Sequence, residues 1–360
     1  MCKVCNTISR DLPKQEAFAE KYLGMLNGGM TMLMISIGHR TGLFDAMADG
    51  EWRTSQQLAD DAGLNERYVR EWLGCLIAAE IVERNAELST HRLPPEHAHW
   101  LSRQSAKDNL AIFAQFLPVL AGVEDDVIDC FRNGGGVPYS KYPRFHAVMA
   151  EDSGQSIVPI IADQVVDLFP GLRADLEAGI EVLDIGCGRG MALIQLAEAF
   201  PQSHFRGYDL SLEALDFARN RAMEKGLGNV HFEVKDLTHW REPKTFDWIT
   251  ALDAIHDQGR PDMVLANIRE ALKPGGRFLM QDIDASSEPN DNIGHPLGPL
   301  FYAISCMHCM TVSLAQGGMG LGAAWGVQKA QSMLTEAGFD QVDIHRFEHD
   351  IQNAYFLMQV

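Results

Sequence analysis

The chain has 360 residues, and its 30 Lys and Arg against 49 Asp and Glu give a formal net charge of −19. That field repels phosphate backbones and anionic headgroups, so it argues against nucleic acid and membrane surfaces as partners. A chain this long exceeds what one hydrophobic core usually organises, and two domains are expected.

No stretch reaches the roughly 18 uninterrupted apolar residues that span a bilayer. The run at 30–38 is short and is followed by His39 and Arg40. The first residues carry no apolar core or small-residue cleavage site, so no secretory signal is read there. Seven cysteines, an odd number, suit reduced thiols in the cytoplasm better than a disulfide framework.

Roughly the first 130 residues read as helical. Apolar positions recur at helical spacing over 15–47. Thr54 or Ser55 can cap a helix, Gly63 and Leu64 make a turn, and Asn65 can cap a second helix. Polar-apolar alternation over 82–93 then predicts a small hairpin. Helix, turn, helix and hairpin together spell a winged-helix unit. Residues 51–100 hold nine Asp and Glu against five Lys and Arg. A DNA-reading module, with Arg67 and Arg70 on phosphates, needs the opposite balance. Dimerisation and lid formation fit better.

Three glycines and a proline at 134–138 break the helical pattern. Beyond about residue 180, strands alternate with helices, as a mostly parallel sheet requires. The predicted strands are 180–185, 204–208, 230–234, 246–252, 276–282, 341–347 and 354–359, the last two an antiparallel closing pair. The fold class is α/β, a doubly wound, mostly parallel, seven-stranded Rossmann-like sheet behind a winged-helix domain.

The strongest motif is the strand that ends at Asp184 and runs into Gly186, Gly188 and Gly190 before a helix. Glycines let the backbone turn sharply and lie against a ligand. A carboxylate two residues ahead of the first glycine suits a cationic amino group rather than a pyrophosphate. The next strand ends in Asp209, which can accept the hydroxyls of a ribose. After the third strand, Asp236 can accept from an adenine amino group while Leu237 offers a backbone N–H. Three acids at the ends of consecutive strands share the carboxyl edge, where open α/β sheets bind ligands.

This ordered set resembles the class I methyltransferases that use S-adenosylmethionine (SAM) and release S-adenosylhomocysteine. The resemblance covers roughly residues 145–360, with the LKPGGRFLMQD run similar to the turn into their fifth strand. The segment AIHDQGRP is similar to the one carrying the catalytic His–Asp pair in winged-helix O-methyltransferases, whose N-terminal domain is also a dimerisation module. The chain also resembles a bacterial branch labelled as regulators. Gln258 stands where the O-methyltransferases often carry Trp, which weighs against a flat aromatic acceptor.

The resemblance implies a dimerisation and substrate-lid domain over 1–140. A SAM-binding domain follows over 141–360, with a helical insertion at about 290–330. It makes His256 the candidate general base, with Asp257 orienting it. It assigns the cofactor to Asp184, Gly186, Gly188, Gly190, Asp209, Leu210, Asp236, Leu237 and Asp253, with Phe145 and Met149 bordering it. Tyr142, Arg144, His146, His295, Cys306, His308 and Cys309 are candidates for the acceptor pocket. The glycine-rich stretch 315–326 reads as a mobile lid.

Cys2 and Cys5, with Cys306 and Cys309, form two CxxC spacings, but the second pair lies in an apolar run where cysteines pack as small hydrophobes. No metal is expected. The expected chemistry is methyl transfer to a small molecule in a cytoplasmic homodimer, a hydroxyl slightly favoured over a thiol. Its rivals are a metabolite-sensing DNA-binding regulator and a nucleotide-binding oxidoreductase; Asp184 and Asp236 weigh against the latter.

Overall fold

Asp11 starts the first helix, α1 (Leu12–Thr41), by accepting from the Lys14 amide, and Gly42 ends it in the left-handed conformation. The computed structural model describes residues 11–105 and 108–360, so Cys2 and Cys5 lie outside the described residues. The chain divides into two compact units, 1–118 and 119–360.

In the first unit, α2 (Leu43–Ala46) leads to α3 (Ser55–Ala62) and α4 (Glu66–Ala78). Thr54 and Gln57 form a reciprocal capping box, and Asn65 caps α4. Strands β1 (Glu83–Asn85) and β2 (Thr90–Arg92) pair antiparallel as the wing. Leu58, Trp72, Leu73 and Leu76 are buried together, and Gly38 lets α1 approach Trp72 closely. Arg67 is paired with Glu71 and Arg70 with Glu66 on the same helix, so neither cation is presented bare to a phosphate.

The second unit holds a seven-stranded sheet. Its strands are β3 (Glu181–Ile185), β4 (His204–Asp209), β5 (Val230–Val234), β6 (Phe246–Leu252), β7 (Leu272–Ile283), β8 (Asp343–His345) and β9 (Asn353–Gln359). The order is β5-β4-β3-β6-β7-β9-β8, with β9 antiparallel to both neighbours. Side chains alternate between two buried clusters, so Val182 enters one face and Leu183 the other. The chain winds outward from β3 to β5, then crosses back to β6. That reversal opens a crevice at the carboxyl ends of β3 and β6.

The unit boundary falls before the expected residue 140. Val137 donates its amide to Thr311 Oγ1 at 2.8 Å, and a Cβ on Gly136 would overlap the backbone at Thr311. The glycine break is therefore part of the second unit, where it permits close packing.

The helical segment Gly298–Ala315 is long and apolar enough by composition to cross a bilayer, and 44% of it is buried. The linear sequence showed no such stretch; continuity through a π-helical turn at Ser305–Cys309 creates it. Its buried His308, Cys309 and Val312 mark it as a core helix of this unit.

Candidate active site

The crevice begins at the turn after β3. Gly186, Gly188 and Gly190 all have positive φ. A Cβ on Gly186 would lie 2.5 Å from that of Ala254, and one on Gly190 would overlap the Phe232 ring. Gly188 faces open space instead. Asp209 fixes this turn: its Oδ2 accepts from the Gly188 amide at 2.9 Å, and its Oδ1 accepts from the Ser211 amide at 2.8 Å. Asp184 is buried, and burial pushes its carboxyl up to about 7 despite the Thr250 hydroxyl that donates to it at 2.7 Å.

Asp253, immediately after β6, has φ 54, an uncommon conformation for a residue with a side chain. Its Oδ1 is buried without a hydrogen-bond partner, and burial lifts its carboxyl to about 6. One turn on, His256 is buried, with Nδ1 2.9 Å from Asp282 Oδ1 at the end of β7. The same Asp282 oxygen accepts from Trp325 Nε1 at 2.9 Å and from the Ile283 amide at 2.8 Å. Burial alone would lower the His256 pKa, but the Asp282 charge beside it carries it well above its ordinary value.

The carboxylate that orients His256 is thus Asp282, where the sequence suggested Asp257. Asp257 accepts from the Tyr139 hydroxyl at 2.9 Å, and burial raises its carboxyl to about 6. Asp282, Tyr139 and Trp325 are absent from the residues drawn from sequence. Only Asp282 left a signal, an acid at a strand's carboxyl end like Asp184 and Asp209.

Five rings gather beside this pair. His308 stacks on Phe145 with centroids 3.4 Å apart and meets the edges of Tyr139 and Tyr142. Tyr139 stacks on His146 at 5.1 Å. The Tyr142 hydroxyl donates to the Met307 carbonyl. Both ring nitrogens of His308 are buried without a partner. Burial, then the charges of His256 and His146, hold its pKa well below the ordinary value. Cys309 is buried, and burial pushes its thiol up. Cys306 and Met149 are half-buried.

Asp236 is exposed and uses Oδ1 to accept from the Thr238 amide. Leu210 is exposed, whereas Leu237 is buried. His295 accepts from the Leu297 amide, and Arg144 sits half-buried at the start of the helix Phe145–Ser153. The 315–326 stretch is tied down: Met319 donates to the Gly259 carbonyl, Gly322 to that of His256, and Trp325 to Asp282. Its glycines serve close approach, since a Cβ on Gly322 would overlap Ser305. Among the described residues, Asp253, His256 and Asp282 are the group whose donor atoms lie within 4.8 Å of one another. The three N–H groups aimed at Asp282 all meet its Oδ1, and its Oδ2 is buried without a hydrogen-bond partner.

An open sheet with a glycine turn after its first strand and acids along its carboxyl edge defines a methyltransferase-type domain. Residues 176–338 match the family model described as a methyltransferase domain, and residues 29–103 match that of an Rv2258c-like winged HTH domain. The chain joins a winged helix-turn-helix domain to a methyltransferase domain. It is 40% identical over 112 residues to phosphoethanolamine N-methyltransferase 1 of Triticum aestivum, covering 31% of this chain and 22% of that protein. Its matches span 40% or less of the length of the first curated relatives.

A candidate O-methyltransferase from Nostoc punctiforme has the same fold, with TM-score 0.72 and 21% identity over 95% of this chain and 98% of that one. Human N-acetylserotonin methyltransferase, solved with SAM, gives TM-score 0.66 and 16% identity over 98% of this chain and 99% of that one.

Proposed function

We propose that this chain is an enzyme that transfers a methyl group from SAM to a small molecule. The observation that carries the reading is the glycine turn of β3 pinned by Asp209 at the crevice beside β6. The residues fit the cofactor. Gly188 leaves open space for a ligand, and Asp184, whose carboxyl burial raises to about 7, would ionise to pair with a cationic amino group. Asp209 offers its carboxylate to a ribose, with Asp236 and the Leu237 amide assigned to the adenine. Phe145 and Met149 border the cofactor, and Asp253 has a buried oxygen free to accept. SAM supplies a methyl group already activated on a sulfonium.

The protein's task is then to align the acceptor, exclude water and take a proton where the acceptor is a hydroxyl. Two buried histidines supply the proton-accepting chemistry: His256 on its Asp282 partner, singled out by sequence, and His308 among the rings. A hydroxyl acceptor is favoured over a thiol, because a thiol ionises without such help. Tyr142, His146, Cys306 and Cys309 complete the proposed acceptor side. The expected assembly is a cytoplasmic homodimer joined through the winged-helix unit. Calorimetric titration with SAM, and separately with S-adenosylhomocysteine, tests the reading. Micromolar binding of both is expected, and no binding by a folded protein overturns it.

A further inference from the structure

We infer that the acceptor bears no negative charge: the site selects a neutral or cationic small molecule and turns away those carrying a carboxylate or phosphate. This rests on the methyl-transfer reading and names its substrate class. The selecting feature is the set of carboxyls around His256. Asp253 and Asp257 flank it in the turn after β6, and Asp282 comes from the end of β7. Asp253 Oδ1 stands 3.8 Å from His256 Nδ1, and Asp282 Oδ1 stands 2.9 Å from it. Three carboxylates against one imidazole leave the cluster negative even when the ring carries its proton. Burial lifts Asp253 and Asp257 only to about 6, so both are mostly ionised at pH 7.

Two oxygens of this cluster call for a partner of one kind. Asp253 Oδ1 and Asp282 Oδ2 are buried with no hydrogen-bond partner, and Asp282 is fully buried. An ionised carboxylate only accepts, so whatever completes it must bring N–H or O–H groups. An anion brings further acceptors and a like charge. Solvent reaches the cluster at its acids: the Asp253 side chain is 23% exposed and Asp257 is half-buried, whereas His256 and Asp282 are closed off. A molecule entering toward His256 therefore meets Asp253 and Asp257 first.

The cations placed in the adjoining turns are committed to carboxylates of their own. Arg189 of the glycine turn pairs with Glu213 and lies over the Phe217 ring at 4.5 Å. His146 faces the same Glu213 at 3.7 Å. Arg260, four residues past His256, pairs with Asp262 at 2.6 Å. The amino group of SAM is assigned to Asp184 on β3, and its sulfonium offsets at most one of the three acids at β6 and β7. The excess negative charge faces the acceptor. Two like charges about 6 Å apart, at an effective dielectric of about 20, repel enough to change binding about a hundredfold. Repulsion of this kind discriminates between acceptors of equal size and shape.

The test offers the SAM-saturated wild type three matched sets and follows S-adenosylhomocysteine release at pH 7. The phenols are para-propylphenol, tyramine and para-hydroxyphenyl propanoate. The alcohols are butanol, aminobutanol and hydroxybutanoate, and the thiols are butanethiol, aminobutanethiol and mercaptobutanoate. In each set that turns over, kcat/KM for the neutral and ammonium members should exceed that of the carboxylate by about tenfold or more. A carboxylate member that matches or outruns its neutral counterpart overturns the inference. So does a SAM-bound enzyme that methylates no neutral or ammonium member. Asp257→Asn keeps an oxygen for the Tyr139 hydroxyl and removes one charge, so it should narrow the discrimination by about tenfold. An unchanged ratio in that variant overturns the electrostatic origin. Failure of the wild type to bind SAM in calorimetry would instead remove the methyl-transfer reading itself.

Discussion

His256 and Asp282 lie 2.9 Å apart at the carboxyl ends of neighbouring parallel strands, both almost wholly buried. Sequence separates them by a helix and a strand, and sheet order alone makes them neighbours. Because the folded-state pKa of His256 is raised, the pair contributes most below the unfolded value of 6.5. That contribution is lost as pH climbs through the raised folded value. Asp282→Asn should therefore cost about 3 kcal/mol at pH 6, at the low end for breaking a buried ion pair. The gap should shrink steadily toward pH 10 in urea unfolding. A gap that does not change with pH would show that the pair carries no charge.

The glycine turn separates packing from ligand approach. Gly186 and Gly188 share positive φ, so Ala at either position bears the left-handed strain of about 1 kcal/mol. Only at Gly186 does the new Cβ also meet Ala254 at 2.5 Å. Gly186→Ala should destabilise by about 3 kcal/mol once overpacking is added. Gly188→Ala should cost about 1 kcal/mol in stability but weaken SAM roughly tenfold, since its Cβ enters the space reserved for ligand. Thermal unfolding and calorimetry separate the two. Equal stability losses would sink the distinction.

Much of this was readable before folding. β3 to β6 announce themselves by apolar runs that end in acids, and the winged unit by the caps Thr54 and Asn65. What escaped was geometry set by non-local pairing. Asp257 follows His256 in sequence, yet successive residues in a turn point apart, and it reaches Tyr139 instead. The glycines at 317–322 look like flexibility in sequence, and in the fold they allow backbone to pass close to Gly259 and Ser305. The break at 134–138 looks like a linker for the same reason, and it is packed on the helical segment 298–315.

Asp184 gives a pH signature for cofactor binding. Its carboxyl ionises near 7 in the ligand-free fold, against 3.8 in an unperturbed chain, so its burial costs stability increasingly as pH rises from 3.8 to 7. A cationic amino group beside it favours the ionised form and lowers that value again. SAM should bind more tightly at pH 8 than at pH 6. At pH 7, binding should release up to about half a proton. Titrations in buffers of different ionisation enthalpy measure that release. Proton uptake, or affinity that is level across this range, would remove Asp184 from the amino subsite.

Asp209 has two duties, one structural and one toward ligand. It holds the Gly188 and Ser211 amides with separate oxygens. Asp209→Ala frees both amides and deletes the carboxylate proposed for the ribose. Hydrogen bonds to a charged group contribute about 1.5–3 kcal/mol, so SAM affinity should fall about 10- to 100-fold. S-adenosylhomocysteine should lose as much, because the ribose is common to both. Loss confined to SAM would place Asp209 near the sulfonium instead.

The first half of α1 supplies the test of assembly. Phe18, Tyr22, Leu26 and Met30 recur every four residues and are 48–66% exposed, forming one apolar ridge on the helix. Gly24 and Gly28, four apart on the same helix, have nothing within 4 Å of an added Cβ. At about 100° per residue these glycines fall on the side of the helix opposite the ridge, so the ridge alone argues for the contact. If two copies meet along this ridge, sedimentation at micromolar concentration should give twice the 39.9 kDa chain mass. Tyr22→Glu with Leu26→Glu should then yield folded monomer, because paired carboxylates on that ridge cannot be buried without partners. A wild-type monomer would overturn the dimer. A dimer that survives the double substitution would move the contact away from α1.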